Sequence, residues 1–434
     1  MMMHLAGKNV IVVGLGVTGL SCVRYLLEKG ANVSALDTRS ALKHELNISV
    51  TLGPIELDAL LMADLVVLSP GISRREPAIA NALVKGIQVI GDIELFAQAN
   101  CKPVLAITGS NGKSTVTMLL AQMLAQDSMK YVVGGNVGTP ALELLDDEYD
   151  WVVLELSSFQ LESTFSLKPY AATVLNISED HIDMHGSLQA YRAAKMHIYR
   201  GAVHSLANRD DPQTWNAETA PDLTFGLSES PVGVGYDEPN QCITLDGRPL
   251  FSIRGTLLTG AHNILNIQAA AGLAHFAGVS TEAMRLACLE FKGLPHRCQL
   301  VAEKQGVRWI NDSKATNVGA CVAAVEGIAG NTAGRLILIA GGDGKGADFS
   351  PLREVLHRYV ALVITLGKDG HKIAALGTTS KHVNSLTEAV NHAASVTKAG
   401  DVVLLSPACA SLDMFDNYMH RGDVFQQAVE ELAA

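Results

Sequence analysis

The heptapeptide GSNGKST at residues 109–115 limits the possible folds of this chain more than any other segment. It follows an apolar run, PVLAI at 103–107, and opens a long apolar helical stretch over 113–125. Glycines here let backbone N–H groups curl around phosphates at a helix N-terminus. Lys113 can neutralise β- and γ-phosphates, and Ser114 can ligate Mg²⁺. The spacing is short for the usual phosphate loop, because Gly109 lies three residues before Gly112 where that pattern has five. A glycine-rich turn with an incidental lysine is the plain alternative. The strand before the loop and the helix after it weigh against that reading.

The same alternation of strand and helix runs along all 434 residues. At ~150 residues per domain this length suggests about three domains. In the first block, strands are expected over 9–13, 32–36, 65–68 and 88–90, with a helix over 17–29. In the second, strands fall at 103–107, 151–154, 172–175 and 175–177, and helices at 188–199, 261–277 and 281–291. Residues 205–255 show only short strand-like pieces among Asp, Pro, Gly, Ser and Thr. The GLPHR stretch at 293–297 interrupts the helical pattern, and strands resume at 307–310, 336–339, 362–365 and 402–405. Boundaries are therefore set at 1–91, 92–293 and 294–434. The expected fold class is α/β in three domains: a Rossmann-like N-terminal domain, a central P-loop ATPase-type domain and a Rossmann-like C-terminal domain. DLVVLSPGIS at 64–73 and DVVLLSPACAS at 401–411 echo each other as buried strands ending in Ser-Pro.

Composition narrows the function classes. Lys plus Arg number 33 against 44 Asp plus Glu, for a net charge of −11, which argues against broad nucleic-acid binding. With 48% hydrophobic and 18% charged residues, general disorder is excluded. Seven scattered cysteines without a C-x-x-C pair fit reduced thiols rather than a disulfide framework or a structural zinc site. No apolar run approaches the ~20 residues of a membrane span. The apolar stretch at 10–22 carries three glycines and runs on into Arg24, Glu28 and Lys29, so it reads as strand, turn and helix rather than an export signal. A cytoplasmic, monomeric protein without membrane insertion is expected.

Other motifs cluster at apparent strand ends. Gly14-x-Gly16-x-x-Gly19, with Asp37 closing the next strand, has the spacing of a dinucleotide fingerprint. It could bind NAD, or serve packing alone. Binding of some other diphosphate-linked nucleotide is preferred, because an NAD site leaves the phosphate loop without a role. Glu155 closes the strand begun at Trp151, where an acid can hold Mg²⁺. Glu179, Asp180 and His181, followed by Asp183 and His185, suggest a metal or phosphate role on the same edge. HNILN at 262–266, PHR at 295–297, NDSKATN at 311–317, GGDGKGAD at 341–348 and SPACASLD at 406–413 suggest one large site lined by several domains. Lys195, in YRAAK, reads by composition as an ordinary helix lysine.

In this order, from GLGVTGLS to SPACASLD, the motifs resemble the Mur ligase family, ATP-dependent amino-acid-adding enzymes of peptidoglycan synthesis. NDSKATN is the piece similar to the branch that adds D-glutamate. The resemblance implies ligation of D-glutamate to UDP-N-acetylmuramoyl-L-alanine through an acyl phosphate, with ATP and two Mg²⁺ ions. It implies an ATP site of Gly109, Ser110, Asn111, Gly112, Lys113, Ser114, Thr115, Asn136, Asn266, Arg297 and Asp312. Metal ligation would fall to Ser114, Glu155, His181 and Lys195, the last as a carbamate. Lys314 would lie near the reacting carboxylate, joining Lys113, His181 and Lys195 as the catalytic set. Leu15, Thr18, Asp37, Thr38, Arg39, Ser69 and Gly71 would hold the UDP end. Thr316, Lys345, Ser411 and Tyr418 would hold D-glutamate, with Tyr418 standing where the family pattern has Phe. The short segment 41–54 departs from that pattern. Three alternatives remain: a nicotinamide-dependent oxidoreductase, an ATP-driven switch protein, and a folylpolyglutamate synthetase, which would lack the N-terminal crevice.

Overall fold

Strands made only of apolar residues must be covered on both faces, and parallel pairing with helical crossovers provides that cover. The computed structural model describes residues 3–42, 47–145, 148–215, 220–258, 260–330, 332–377 and 379–432. Parts of two segments singled out in the sequence, 43–46 and 216–219, lie outside the described residues. The chain forms two compact units. One comprises Met1–Ile177, Gln189–Arg254 and Leu265–Leu289, and the other Ser178–Leu188, Gly255–Ile264 and Glu290–Ala434.

The first unit holds two sheets. In the first sheet, β1 (Asn9–Val13), β2 (Asn32–Asp37), β3 (Ser49–Leu52), β4 (Leu65–Leu68) and β5 (Gln88–Gly91) lie in the order β3-β2-β1-β4-β5, all parallel. The order reverses between β1 and β4. Loops leaving a sheet at such a point diverge and leave a crevice at the strands' carboxyl ends. The helix Val17–Glu28 follows β1 directly. Gly14 has φ +91°, and a Cβ at Gly19 would overlap the Gly14 carbonyl oxygen. The glycines therefore serve close helix–strand packing as well as the crevice.

The second sheet contains β6 (Val104–Thr108), β7 (Tyr131–Gly135), β8 (Trp151–Glu155), β9 (Ala171–Val174), β10 (His204–Asn208), β11 (Leu223–Phe225), β12 (Val234–Asp237), β13 (Cys242–Leu245) and β14 (Arg248–Ser252). Its order is β14-β13-β12-β11-β10-β9-β6-β8-β7. Only the outer hairpins, β12 with β13 and β13 with β14, are antiparallel. The helix Lys113–Gln126 after β6 buries residues on every side, from Thr115 and Thr117 to Leu119, Ala121 and Leu124. It is thus a core helix rather than an amphipathic surface one. Two expectations need correction. The strand expected over 175–177 ends at Val174, and the residues beyond it form a loop. The single helix expected over 188–199 ends at Met196 and tightens into a 3₁₀ turn, His197–Tyr199.

The second unit holds β15 (Gln299–Lys304), β16 (Val307–Asn311), β17 (Leu336–Gly341), β18 (Val360–Leu366), β19 (Ser380–His382) and β20 (Val402–Leu405), in the order β15-β16-β20-β17-β18-β19. Alternate residues of one strand point to opposite faces. Leu336, Leu338 and Ala340 accordingly pack with Val325, Leu352 and Leu356, while Ile337 and Ile339 pack with Val390, Ala393 and Phe425. Both faces are covered, as the unbroken apolar run requires. β4 and β20, the two strands ending in Ser-Pro, are both interior and fully buried. Among the described residues, no helix is long and apolar enough to cross a membrane.

The overlap at Gly19 gives a packing test. Gly19→Ala should cost about 2 kcal/mol by forcing the helix off β1. Gly16→Ala, whose Cβ meets nothing within 4 Å, should cost less than half as much. Thermal unfolding followed by circular dichroism checks both, and equal melting points for the two variants would contradict the packing role.

Candidate active site

A cavity of about 390 Å³ opens at the carboxyl edge of the first sheet. Leu15, Thr18, Asp37, Thr38, Arg39, Ser69 and Gly71 all line it, together with Asn136 and Gln160. Asp37, at the end of β2, organises the wall. Its Oδ2 accepts from the Leu15 N–H at 2.7 Å and from Arg39 Nη2 at 2.7 Å, and its Oδ1 accepts from Arg39 Nε at 2.8 Å. The Arg39 fork holds this carboxyl well below the usual carboxylate range. The Ser69 hydroxyl donates to the Gly14 carbonyl at 2.6 Å, tying the loop after β4 to the loop after β1. Asn136, expected at the ATP site, lines this cavity and donates to Glu155 Oε1 at 2.7 Å.

The phosphate loop leaves β6 with Gly109 at φ +155° and Gly112 at φ +85°. No side chain fits at Gly112, where a Cβ would overlap Asn266 Oδ1. The loop's inward groups are taken up by the protein itself. Ser110 N–H donates to the Asn176 carbonyl at 2.9 Å, and Asn111 N–H to Asn176 Oδ1 at 2.8 Å. Lys113 Nζ curls back on the carbonyls of Gly109, at 2.9 Å, and Ser110, at 3.0 Å. Lys195 is only 2% exposed. Its Nζ donates to the same Gly109 carbonyl at 2.9 Å and lies over the Tyr191 ring at 4.6 Å. Ser114 and Thr115 are buried at the helix start.

Glu155 ends β8 level with Ile107 of β6, beside the loop. It is 2% exposed, and its Oε2 has no hydrogen-bond partner among the described residues. An orphaned buried carboxylate oxygen is costly unless a cation or donor completes it. A hard cation beside the phosphate loop fits that requirement. Among the described residues, no three His, Cys, Asp or Glu side chains are grouped to hold a metal by themselves. Of the expected ligands, Ser114, Glu155 and Lys195 belong to the first unit, and His181 to the second.

In the second unit a cavity of about 90 Å³ is lined by Glu179, Asp180, His181, Thr316, Asn317 and Lys345, among others. His181 adopts a left-handed conformation, φ +54°, with Nε2 3.6 Å from Asp180 Oδ2. Lys345, also left-handed at φ +51°, is the pocket's lysine, and its Nζ has no ion-pair or hydrogen-bond partner among the described residues. Two further residues expected to hold D-glutamate are not among those lining this cavity. Ser411 is buried next to Ala410, which bridges Asp343. Tyr418 underlies Lys314, whose Nζ sits 3.8 Å from the ring centroid. Asp312 is a junction of loops rather than an open wall: its oxygens accept from the Ser406 hydroxyl at 2.8 Å and Cys298 N–H at 3.1 Å, and burial pushes its carboxyl up to about 6. Arg297 and Asp312 lie in the second unit, Asn266 in the first.

Four structural supports escaped the sequence reading. Asn176 pins the phosphate loop, and Gln160 lines the first cavity. Tyr191 flanks both Lys195 and Ser110, with its OH 3.1 Å from Ser110 Oγ. Its position four residues before Lys195 on one helix was the available signal. Arg421 is buried and donates to the Ser313 carbonyl at 2.7 Å and the Cys409 carbonyl at 3.1 Å. Burial lowers its guanidinium to about 10.

Three family descriptions match the chain in succession: "Mur ligase MurD-like, N-terminal domain" over residues 8–91, "Mur ligase middle domain" over 107–274, and "Mur ligase, glutamate ligase domain" over 296–409. The chain is 47% identical over 438 residues to a Pseudomonas syringae protein named UDP-N-acetylmuramoylalanine–D-glutamate ligase, covering 98% of each. A Pasteurella multocida protein of the same name is 46% identical over 422 residues, covering 96% of this chain and 97% of that one. The solved UDP-N-acetylmuramate-alanine ligase of Thermotoga maritima matches with a TM-score of 0.62 at 19% identity, covering 98% of this chain and 100% of that one. The MurF structure of Acinetobacter baumannii matches with a TM-score of 0.63 at 18% identity, covering 99% and 92%. Those two likenesses speak to the fold. With all three descriptions matched in order and relatives this similar from end to end, the chain belongs to the Mur ligase family.

Proposed function

We propose that this chain is an ATP-dependent ligase that joins D-glutamate to UDP-N-acetylmuramoyl-L-alanine in peptidoglycan synthesis, releasing ADP and phosphate. The names of the full-length relatives support the substrates. Within the molecule, the observation that carries the reading is the buried Glu155 oxygen beside a phosphate loop, which has no hydrogen-bond partner among the described residues. In this reading residues 1–91 hold the UDP end, 92–293 the ATP, and 294–434 the amino acid. The enzyme acts as a cytoplasmic monomer, binding neither nucleic acid nor membrane.

The chemistry faces a charge problem. The acceptor's carboxylate must attack the γ-phosphorus of ATP, and both are anionic. Loop N–H groups other than those of Ser110 and Asn111, which Asn176 takes, cradle the phosphates, and Lys113 releases its loop carbonyls to pair with them. The carboxylate oxygen bonds to phosphorus as the β–γ bridging bond breaks, giving an acyl phosphate and ADP. The D-glutamate amine then attacks the acyl carbon, loses a proton, and displaces phosphate. His181 and Lys314 would orient the acyl group, and positioning accounts for much of the rate. Two Mg²⁺ ions, held through Ser114, Glu155, His181 and a carbamylated Lys195, would screen the opposing charges when bound. Carbamylation replaces the ammonium at Lys195 with an anion, by attack of the neutral amine on carbon dioxide with loss of a proton.

Two outcomes test this reading. Lys113→Ala should abolish ligation yet leave UDP-N-acetylmuramoyl-L-alanine binding intact by calorimetry, since the Asp37 cavity lies on another sheet. Near-normal turnover would remove the phosphate-loop assignment. Lys195→Ala should be nearly inactive, with partial recovery in added acetate or formate, which can occupy the carboxylate position. Full activity without either additive would exclude the carbamate.

A further inference from the structure

The loop that carries Lys345 is held from two sides. On one side Ala410 exchanges hydrogen bonds with Asp343, at 2.8 and 3.1 Å. On the other stands Asp369, which is 5% exposed. Its N–H donates to the Gly342 carbonyl at 2.9 Å, and its Oδ2 accepts from the Gly344 N–H at 2.8 Å. Asp369 sits at the N-cap of the short helix Gly370–Ala374, where an Asp side chain normally accepts from its own helix. Here it makes no such bond and turns to the neighbouring loop instead. The fit is close. A Cβ at Gly344 would come within 2.5 Å of the Phe349 ring and 3.2 Å of Asp369 Oδ2. The Lys372 ammonium, 2.8 Å from Oδ1, keeps the carboxyl below its ordinary range, so it accepts as an anion. The residue after Gly344 is Lys345, in its left-handed conformation.

We propose that Asp369 is a positioning residue of the amino-acid pocket: by fixing the Gly344 amide it sets the place of the Lys345 ammonium, which receives a carboxylate of the incoming amino acid. The neighbouring basic side chains support this division of labour. Lys368 pairs with Asp343 at 3.1 Å and Lys372 with Asp369, so Lys345 is the loop's cation left for substrate among the described residues. The inference rests on the reading of Lys345 as a D-glutamate ligand.

Steady-state kinetics on the full chain separate the two claims. Lys345→Ala should raise KM for D-glutamate strongly. Asp369→Ala should raise the same KM roughly tenfold, with KM for ATP and for UDP-N-acetylmuramoyl-L-alanine within about twofold of the parent. In the double variant, Asp369→Ala should add nothing to Lys345→Ala, because one acts through the other. Lys372→Ala, which leaves the hydrogen bond from Gly344 to Asp369 in place, should raise the D-glutamate KM less than Asp369→Ala does. If Asp369→Ala folds poorly by thermal unfolding, Asp369→Asn keeps an acceptor for Gly344 and should show a smaller rise in the same KM alone. An unchanged D-glutamate KM in Lys345→Ala defeats the ligand reading. With that effect intact, an Asp369 variant that is silent, that raises all three KM values alike, or that multiplies the Lys345→Ala effect overturns the positioning role.

Discussion

The carbonyl oxygen of Gly109 accepts from two lysines, Lys113 and Lys195, each at 2.9 Å. The two bonds anchor the start of the phosphate loop. A turn that points its N–H groups toward a ligand must point carbonyls the other way, and buried carbonyls need donors. Two ammonium groups satisfy this one, while Asn176 takes the amides of Ser110 and Asn111. The loop is therefore shaped before any phosphate arrives, which lowers the cost of binding one. The same bond explains why Lys195 is buried: its place is set by the loop's backbone and by the Tyr191 ring beneath it.

Charge is distributed unevenly over the two units. At the Asp37 wall, Arg39 and the Leu15 amide already satisfy the carboxylate, so its charge is paired within the wall. Near the phosphate loop, Glu155 keeps one oxygen without a hydrogen-bond partner among the described residues. In the second unit the Lys345 loop keeps one cation without an ion pair among the described residues, while Asp343 pairs with Lys368. Unsatisfied groups of opposite sign thus stand at the places assigned to a cation and to a carboxylate. Structural ion pairs elsewhere, such as Arg335 with Asp401, are closed on themselves.

Buried parallel strands were legible because their sequences are continuous apolar runs; β1, β4 and β20 match the expected limits to the residue. Edge strands were not. β3 exposes three of its four residues, and β7 ends in two glycines, so neither shows an apolar run. The hairpin of β13 and β14 did carry a signal. Asp246-Gly247 both have positive φ, as a type I′ turn requires, and an Asp-Gly pair between short strands marks such a turn. At the site, all seven residues expected around the UDP end converge, because they follow strand ends of one sheet. Asn176, Gln160 and Asp369 were not legible as functional. Asn176 and Asp369 accept from backbone amides of other loops, and Gln160 bonds the distant Asp92 side chain, pairings that no local spacing encodes. Lys195 has the local sequence of a solvated helix lysine, and only the family resemblance drew attention to it.

The central claim is that this molecule couples ATP cleavage to amide formation with D-glutamate. Phosphate release, measured with UDP-N-acetylmuramoyl-L-alanine and ATP while the amino acid is varied, tests it most directly. D-glutamate should release phosphate in step with a ligated product. L-glutamate, meso-diaminopimelate and L-lysine should release little, because a pocket fixed on two carboxylates presents the amine of one enantiomer only. Phosphate release that ignores the amino acid, or that is equal with L-glutamate, would contradict the account.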